Sequence, residues 1–392
     1  MSMTGNLFRR RAPAKLLTLL VTLAVVGAIV VGCATPAQPR GWSGVAITDG
    51  DVYFGSMNGQ MVGLHSAAGT QLWSPFTLEP IKSTGGFGCA PASTTVAIYG
   101  TPAAAGDLVY VAGYDGQVYA VNSSKGVLRW VYPRQRPTTP QPVVGGLVTA
   151  LGKVFFGLDS GSVYSLDAET GDLEWQFPTG DKVWSTPTID SGTLYIGSFD
   201  KKLYALNAAD GTKKWEFPTG GAIVSTPTVA NGIVYFGSFD RQFYAVNAAG
   251  GSLKWKSPAG AGRWFWAQSS VYKGVVYAPN LDGKLYLLDA GNGNEIGALD
   301  LGSSIASAPV LVGSSVIVAT ENGKIYTIDT ATYEKRQLAD IKQLANLDLL
   351  IYSPLSAADG VIYVHAQTKS KGSLVYALNA QTGAAIWRYP KQ

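Results

Sequence analysis

Short apolar runs separated by polar turn residues fill most of the chain, and these runs recur at a regular interval. Residues 192–207 and 232–247 carry nearly the same sequence 40 positions apart. The same unit recurs eight times, each copy having an apolar residue at one equivalent strand position: Tyr53, Tyr110, Phe155, Tyr195, Tyr235, Tyr277, Ile317 and Tyr363. A period of this length is typical of propellers and solenoids.

Each unit contains four short segments that favour extended structure. In the fourth unit these segments are 185–189, 193–197, 203–206 and 214–217, which are rich in β-branched and aromatic residues. Turn pairs such as Asp282-Gly283 separate the second and third segments, and glycine there supplies the positive φ of a tight hairpin. Two hairpins per unit indicate a propeller blade, not a solenoid turn of parallel strands. We therefore predict an all-β fold, an eight-bladed β-propeller of four-stranded antiparallel blades, over residues 44–392.

A tryptophan occupies one fixed position near the end of most units. It is present in six units, as Trp73, Trp130, Trp175, Trp215, Trp255 and Trp387. Units six and seven have Gly297 and Gln337 instead. The position belongs to the outermost strand, where neighbouring sheets splay apart and a large flat side chain can fill the gap. We predict that these tryptophans dock blades to one another and bind no ligand.

Two stretches depart from the repeat. Residues 333–350 place Leu338, Ile341, Leu344 and Leu347 at helical spacing, which predicts a short helical insertion that caps the seventh blade. Residues 75–105 form a longer connection that contains Cys89, and a lone cysteine is most often a buried small hydrophobe. With two cysteines in the chain, one of them near the N-terminus, we expect no cysteine-based metal or redox centre.

The N-terminus has the order of an export signal, in which basic residues precede an apolar run. Residues 9–11 and Lys15 are basic, and residues 16–32 are apolar and long enough to leave an uncleaved membrane anchor as an alternative. The sequence Val-Val-Gly-Cys at 30–33 resembles the lipobox of bacterial lipoproteins. This resemblance implies a signal peptide at 1–32, lipidation of Cys33 and a lipidated tether at 33–43, which would hold the protein to a membrane.

Charge and composition exclude two classes of protein. The chain of 392 residues is 46% hydrophobic and 11% aromatic, which excludes a disordered chain. The net charge of +4 comes from the four basic residues before Cys33, so the mature chain carries 26 basic and 26 acidic residues. This balance removes the global support for a nucleic-acid partner. We expect a monomeric propeller.

The unit Val-Tyr-Phe-Gly-Ser-x-Asp-x-x-x-Tyr-Ala-Val-Asn, followed by the tryptophan, resembles the PQQ-like propeller repeat of the quinoprotein superfamily. Residues 195–215 and 235–255 are its best copies, and the resemblance covers nearly all of residues 44–388. Within that superfamily, a lipobox followed by a lone eight-bladed propeller is similar to the BamB lipoproteins of the outer-membrane β-barrel assembly machinery. These proteins are non-enzymatic scaffolds that bind the barrel-forming subunit through loops on one face. The resemblance implies an envelope protein partner, such as a β-barrel assembly component, and an extracytoplasmic position at a bacterial membrane, the outer membrane where the host has one.

The same superfamily contains dehydrogenases, so a PQQ-dependent oxidoreductase is an alternative. Such enzymes need an Asp base, Glu and Asn ligands for Ca²⁺, and an adjacent pair of cysteines, which this chain lacks. Its acids, such as Asp200, Asp240 and Asp282, fall at hairpin turns, where aspartate is expected for turn geometry. The two histidines, His65 and His365, lie far apart in the sequence. We expect no catalytic residue, no metal site, and neither PQQ nor Ca²⁺.

Propellers bind partners mostly at one face, where hairpin tips and blade-entry loops surround the mouth of the channel. Lys201 and Arg241 replace glycine at two tips, and tryptophans stand in two entry loops, beside further charged residues. Tryptophan and arginine are enriched in binding hot spots. The candidate partner-binding residues are Asp181, Lys182, Trp184, Lys201, Lys202, Arg241, Arg263, Trp264 and Trp266.

Two other interpretations of this face stay open. The tryptophan-lined mouth would also suit a small ligand or a glycan. Alternatively, the basic residues only solubilise the turns and the tryptophans only plug the channel.

Overall fold

The computed structural model describes residues 43–56, 58–82, 93–257, 260–368 and 372–391. The chain divides into two compact units, one made of residues 1–38 and 82–94 and the other of residues 39–81 and 95–392. In the first unit the described residues are Lys82, Ser93 and Thr94. The predicted signal peptide, Cys33, the tether up to residue 42, and Cys89 lie outside the described residues.

The second unit is an eight-bladed β-propeller, as predicted. Seven of its sheets have four antiparallel strands in chain order, and the eighth sheet has five strands. The first strands of neighbouring blades lie against one another and form the inner ring. Within the described ranges, no helix is long and apolar enough to cross a membrane.

The first four blades follow one another in chain order. Blade one consists of β1 (Val45–Thr48), β2 (Asp51–Gly55), β3 (Gln60–His65) and β4 (Phe76–Thr77), and it is followed in the sequence by β5 (Ile81–Lys82) and β6 (Ser93–Thr94). Blade two consists of β7 (Ala103–Ala105), β8 (Leu108–Ala112), β9 (Val118–Asn122) and β10 (Leu128–Tyr132). Blade three consists of β11 (Val148–Ala150), β12 (Lys153–Leu158), β13 (Ser162–Asp167) and β14 (Leu173–Pro178). Blade four consists of β15 (Thr188–Asp190), β16 (Thr193–Gly197), β17 (Lys202–Asn207) and β18 (Lys213–Pro218).

The other four blades continue the series. Blade five consists of β19 (Thr228–Ala230), β20 (Ile233–Gly237), β21 (Phe243–Asn247) and β22 (Leu253–Lys256). Blade six consists of β23 (Ser270–Tyr272), β24 (Val275–Pro279), β25 (Lys284–Asp289) and β26 (Glu295–Asp300). Blade seven consists of β27 (Val310–Val312), β28 (Ser315–Ala319), β29 (Lys324–Asp329) and β30 (Lys335–Asp340), and helix α1 (Ile341–Ala345) follows it. Blade eight consists of β31 (Leu349–Leu350), β32 (Ser356–Ala358), β33 (Val361–Thr368), β34 (Ser373–Asn379) and β35 (Ala385–Tyr389).

In blade four the predicted second strand at 193–197 has the observed bounds, but the first strand differs. It covers Thr188–Asp190 and not 185–189. Ser185 instead uses its side-chain hydroxyl to bond the Ser225 carbonyl of the next blade, and Thr186 lines the central cavity. Pro187 lacks the N–H that a sheet ladder requires. The pairing therefore starts after the proline.

The hydrophobic core lies between neighbouring sheets. Between blades three and four, for example, Phe155, Val163, Leu194 and Leu206 are all fully buried in one cluster. Strand alternation directs one set of side chains toward the preceding blade and the other toward the following blade. Both faces of each sheet are therefore apolar, which explains the long buried runs in β8, β16 and β24.

The predicted helical insertion exists, but it is shorter than the pattern in 333–350 indicated. Lys335–Asp340 is the outer strand of blade seven, and α1 covers five residues, Ile341–Ala345. The Asp340 side chain accepts the backbone N–H of Gln343 at 3.2 Å, which caps the helix start. Asn346 ends the helix in the left-handed conformation, at φ 50°. The first part of this segment is a strand because Leu338 also fits the apolar pattern of a paired outer strand.

Blades eight and one close the ring through side chains. In the described part of the chain, each blade sheet is built from one continuous stretch, and no sheet combines strands from both ends. Val45, Phe54, Val375 and Trp387 pack in one buried cluster across this joint. The Gln71 amide also donates to the Tyr389 hydroxyl at 2.7 Å.

Candidate functional site

The six repeat tryptophans each join a blade to the next one. The indole N–H of Trp175 donates to the Ala208 carbonyl of the following blade at 3.2 Å. The equivalent bonds of the other five are Trp73 to Ser123 (2.8 Å), Trp130 to Ala168 (3.1 Å), Trp215 to Ala248 (3.0 Å), Trp255 to Ala290 (3.0 Å) and Trp387 to Ser66 (2.6 Å). The N–H group of each indole, its single hydrogen-bond donor, is therefore used within the propeller wall.

A glycine of the next blade lies under each of these indoles. A Cβ atom placed on Gly211, for example, would lie 2.6 Å from the Trp175 ring. Blade six has Gly297 in place of the tryptophan, and the matching turn position of blade seven is Tyr333 and not glycine. Tyr333 keeps the left-handed conformation, at φ 59°, and packs against the cluster around Tyr277. The large and the small residue have exchanged places across this joint.

The turn aspartates are committed to the hairpins. Asp240 accepts three hydrogen bonds, from the Tyr244 hydroxyl at 2.7 Å and from the backbone N–H groups of Gly220 at 2.8 Å and Gln242 at 3.0 Å. Asp200 and Asp282 repeat this arrangement in blades four and six. Burial and the neighbouring carboxylate raise the pKa of Tyr244, so its hydroxyl stays a donor.

The two histidines have unrelated environments. His65 is exposed, and its Nδ1 atom lies 3.0 Å from Asp51 Oδ1. His365 is buried in β33, its Nδ1 atom contacts the Ser43 carbonyl, and burial lowers its pKa to about 4. Among the described residues, no group of three His, Cys, Asp or Glu side chains is placed to hold a metal ion.

The mouth of the central channel is lined by the residues that precede the first strands of blades two to eight. Trp184 and Trp266 are among these residues, together with Tyr99, Val144, Val224, Ala306 and Tyr352. They line a cavity of about 310 Å³ whose wall also includes Thr186 and Thr226.

The lining of this cavity does not fit PQQ and Ca²⁺. Ca²⁺ takes six to eight oxygen ligands, usually including carboxylates, and PQQ itself carries carboxylates that need cationic partners. The described residues that line the cavity are neutral, without Asp, Glu, Lys or Arg. We derive no catalytic step through this cofactor.

A continuous arc of rings crosses the face of blades four to six. We call Trp184, Phe199, Phe239, Trp264 and Trp266 the aromatic arc. Its ring centroids are spaced by 4.8 Å, 6.1 Å, 4.5 Å and 5.9 Å for the pairs 184–199, 199–239, 239–264 and 239–266. Trp264 is 46% exposed, and the other four rings are half-buried. The arc therefore presents a rigid apolar surface to solvent.

The charged candidate residues fall into two groups. Lys201 and Arg241 hold the left-handed turn position, at φ 70° and 69°, and like Arg263 they are exposed and form no ion pair among the described residues. Lys182 and Lys202 are engaged in ion pairs, with Asp159 at 3.1 Å and Glu216 at 2.6 Å respectively.

Two acidic residues, Asp159 and Asp181, help to hold the arc and the entry loop of blade four. Asp159 also accepts the indole N–H of Trp184 at 2.7 Å, so it orients the first ring of the arc. Asp181 accepts the backbone N–H of its neighbour Lys182 at 2.8 Å and is exposed. Lys201, Arg241 and Arg263 are thus the cations whose charge faces solvent beside the arc.

Sequence reasoning missed several members of this face. Phe199 and Phe239 precede the turn aspartates in the repeated triplet Ser-Phe-Asp, and the same position is Tyr114, Asp159, Leu281 or Glu321 in other blades. This position varies while its neighbours repeat, which is how it could have been found. Tyr99 and Tyr352 occupy the equivalent entry-loop positions of blades two and eight and were also missed.

Comparison with solved structures agrees with the described fold. BamB from Moraxella catarrhalis superposes with a TM-score of 0.66 at 18% identity, covering 85% of this chain and 93% of that one. The computationally designed Ika8 protein superposes with a TM-score of 0.67 at 16% identity, covering 86% and 98% of the two chains. At these identities the likeness shows the fold.

Curated relatives match over part of their length. Quinohemoprotein alcohol dehydrogenase ADH IIB of Pseudomonas putida is 29% identical over 138 residues, which are 33% of this chain and 19% of that enzyme. Serine/threonine-protein kinase AfsK of Streptomyces griseus is 30% identical over 159 residues, 40% of this chain and 18% of the kinase. The chain thus spans about a fifth of the length of these relatives.

A family model covers almost the whole propeller. The family is described as "Outer membrane protein assembly factor BamB", and its model matches residues 32–183 and 159–389. These two overlapping matches include all eight blades. The chain therefore belongs to the BamB family of PQQ-like β-propellers.

Proposed function

We propose that this protein is a non-enzymatic scaffold that binds another protein of the bacterial envelope through the mouth face of blades four to six. The observation that carries this proposal is the aromatic arc with Lys201, Arg241 and Arg263 beside it. Membership of the BamB family supports a partner from the machinery that assembles outer-membrane proteins. Export and lipidation at Cys33 would hold the scaffold on the extracytoplasmic side of a membrane, the outer membrane where the host has one.

The chemistry of this face suits a protein partner. Aromatic side chains and arginine dominate the energetic centre of protein interfaces, because rigid rings bury much apolar area at a low entropic cost. Neighbouring rings already fix the orientation of the arc, so binding orders few side chains. The exposed cations would steer a partner that presents acidic residues around an apolar patch.

Evidence for catalysis is weaker than evidence for binding. The dehydrogenase match covers 33% of this chain and 19% of that enzyme. The turn aspartates already accept three hydrogen bonds each, and the lining of the central cavity is neutral. These observations support a scaffold without enzymatic activity.

Partner capture tests the proposed surface. In the triple variant Lys201→Glu, Arg241→Glu, Trp266→Ala, we expect capture of the envelope partner from detergent-solubilised host membranes to fall at least about tenfold, since hot-spot truncations cost about 2 kcal/mol or more. Both charge reversals keep a Cβ atom at the positive-φ position, so the thermal midpoint should change little. The matched control is Lys125→Glu with Lys254→Glu, which reverses two exposed charges away from the arc. Equal capture by the triple variant and the wild type would refute the surface.

Fractionation tests the membrane anchor separately. A Cys33→Ser variant should lose incorporation of an alkyne-labelled fatty acid and retain its leader, which shows as a larger mass. A wild-type chain without label, still held in the membrane fraction, would indicate the uncleaved apolar anchor at residues 16–32 instead.

A further inference from the structure

A second pocket opens beside the aromatic arc, between the entry loop of blade six and the hairpin tip of blade seven. Its volume is about 270 Å³. Trp266, Leu281 and Ala306 supply apolar walls, while Arg263, Glu321 and Tyr352 supply the polar groups. Pockets with mostly apolar walls and a few placed polar groups are typical of small-molecule sites. The pocket is large enough for a ligand about the size of one large amino acid.

The carboxylate of Glu321 is held in place. Its Oε1 atom accepts the Tyr352 hydroxyl at 2.8 Å. The backbone of Glu321 is fixed on both sides, by an N–H bond to the Ser304 carbonyl at 2.8 Å and by the Ile351 N–H at 3.0 Å. Burial and the Glu321 carboxylate raise the pKa of Tyr352 to about 12, so the hydroxyl remains the donor in this hydrogen bond.

Arg263 lines the same pocket and does not neutralise that carboxylate. No ion pair joins Arg263 and Glu321, and neither forms an ion pair with another described residue. The Arg263 backbone carbonyl accepts the Asn280 amide at 3.0 Å, which anchors its loop. One pocket therefore presents a positive and a negative group at once, next to apolar walls.

This combination discriminates among ligands by charge. A ligand with only a positive charge would be repelled by Arg263, and a ligand with only a negative charge would be repelled by Glu321. An apolar molecule would displace water from both charged groups without replacing the hydrogen bonds that the water made. A zwitterion pairs both groups, since arginine binds carboxylates by parallel hydrogen bonds and a carboxylate binds ammonium. We propose that this pocket binds an α-amino acid with an apolar side chain. Its ammonium lies on Glu321, its carboxylate on Arg263, and its side chain against Trp266, Leu281 and Ala306.

This binding activity goes beyond the proposed scaffold function. The pocket shares Arg263 and Trp266 with the partner-binding candidates, so an occupied pocket would alter the edge of that surface. Of the three positions changed in the capture experiment, Trp266 lines the pocket, whereas Lys201 and Arg241 do not, so a capture variant restricted to Lys201→Glu and Arg241→Glu leaves the pocket intact. Failure of ligand binding and failure of partner capture are therefore separate results.

Calorimetric titration of the purified full-length chain tests the proposal. The probes are L-phenylalanine, N-acetyl-L-phenylalanine without the ammonium, and L-phenylalaninamide without the carboxylate. We expect each single-charge analogue to bind at least about tenfold more weakly than phenylalanine. Glu321→Gln should weaken phenylalanine binding and leave N-acetyl-phenylalanine unchanged, whereas Arg263→Gln should weaken phenylalanine and leave the amide unchanged.

Matched charge removals at a distance provide the control. Arg129→Gln and Glu295→Gln remove exposed charges from the outer strands of blades two and six and should bind phenylalanine like the wild type. Phenylalanine that produces no heat and no thermal shift at 10 mM ligand, a concentration on the order of ten times a millimolar Kd, would overturn the proposal. Equal binding of the three probes would also overturn it, as would binding of glucose or N-acetylglucosamine in place of phenylalanine.

Discussion

Glycine and tryptophan act as a pair across the docked blade joints. Trp175 lies over Gly211 of the next blade and bonds the Ala208 carbonyl at 3.2 Å. The glycine is required for two reasons, its φ of +74° and the absence of space for a Cβ atom. Other glycines in the same blade meet the first requirement alone, and Gly192, at φ +72°, has open space where a Cβ atom would stand.

This difference predicts unequal costs for two alanine substitutions. Gly192→Ala should cost about 1 kcal/mol, the strain of the left-handed conformation. Gly211→Ala should cost about 2–4 kcal/mol, because the indole must also move out of a packed joint. Denaturant midpoints of the two variants, followed by circular dichroism, measure the difference. Equal midpoints would show that the tryptophan yields freely and that the joint is loosely packed.

A joint between two blades is the next unit of structure, and the joint of blades six and seven uses a different pair. Gly297 replaces the tryptophan, Tyr333 replaces the glycine, and the buried Tyr277 hydroxyl has no hydrogen-bond partner among the described residues. In blade five the equivalent Tyr235 hydroxyl bonds the Ala290 carbonyl at 3.2 Å. Tyr333 of blade seven therefore fills the gap between the two sheets that a tryptophan of the preceding blade fills at six other joints.

A double-mutant cycle tests this exchange. Gly297→Trp alone should destabilise the protein, because the introduced indole meets the Tyr333 ring. Combined with Tyr333→Gly, the indole regains the space that it has in other joints. We expect a favourable coupling energy of at least about 1 kcal/mol between the two changes. Additive effects would mean that the two positions do not pack on each other.

At the scale of these elements, the sequence predicted the bounds of the middle strands of a blade better than the structure between blades. The continuous run of β-branched and aromatic residues in β16 predicted its bounds, because both faces of the strand are buried. The insertion after blade seven was placed too early because Leu338 fits a helical stripe and an outer strand equally well. Only the pairing of this segment with β29, in which Ala339 lies opposite Ile325, shows that the segment is a strand.

For the whole molecule, closure of the ring depends on side chains from its two ends. His365 lies in blade eight, and its Nδ1 atom contacts the Ser43 carbonyl that leads into blade one. The ring of His365 also packs 5.2 Å from the Phe54 ring, while its Nε2 atom has no partner among the described residues. A proton on this imidazole would be buried without compensation.

Closure should therefore weaken in acid. Burial lowers the pKa of His365 to about 4 from 6.5, so the unfolded chain binds the proton first as pH falls. The contribution of neutral His365 is complete above pH 6.5 and declines between pH 6.5 and 4, by about 3 kcal/mol in total. His365→Asn, which keeps an N–H donor, should lose this part of the pH dependence. His65→Asn is the matched control at an exposed histidine, and unfolding midpoints from pH 7.5 to 4 that run parallel in wild type and His365→Asn would contradict the prediction.

The sequence by itself determined the blades, because a strand with two buried faces and a tight turn leave local patterns that repeat eight times. It also placed the candidate cations Lys201 and Arg241, since a side chain at a glycine position is visible in an aligned repeat. Tertiary structure alone decided which rings meet. Phe199 and Phe239 join Trp184 and Trp264 only because the packing of blades four, five and six brings their loops side by side. Packing of consecutive blades also places Arg263 and Glu321, 58 positions apart, on one pocket. Such proximity depends on the packing of neighbouring blades, and a local sequence pattern does not record it.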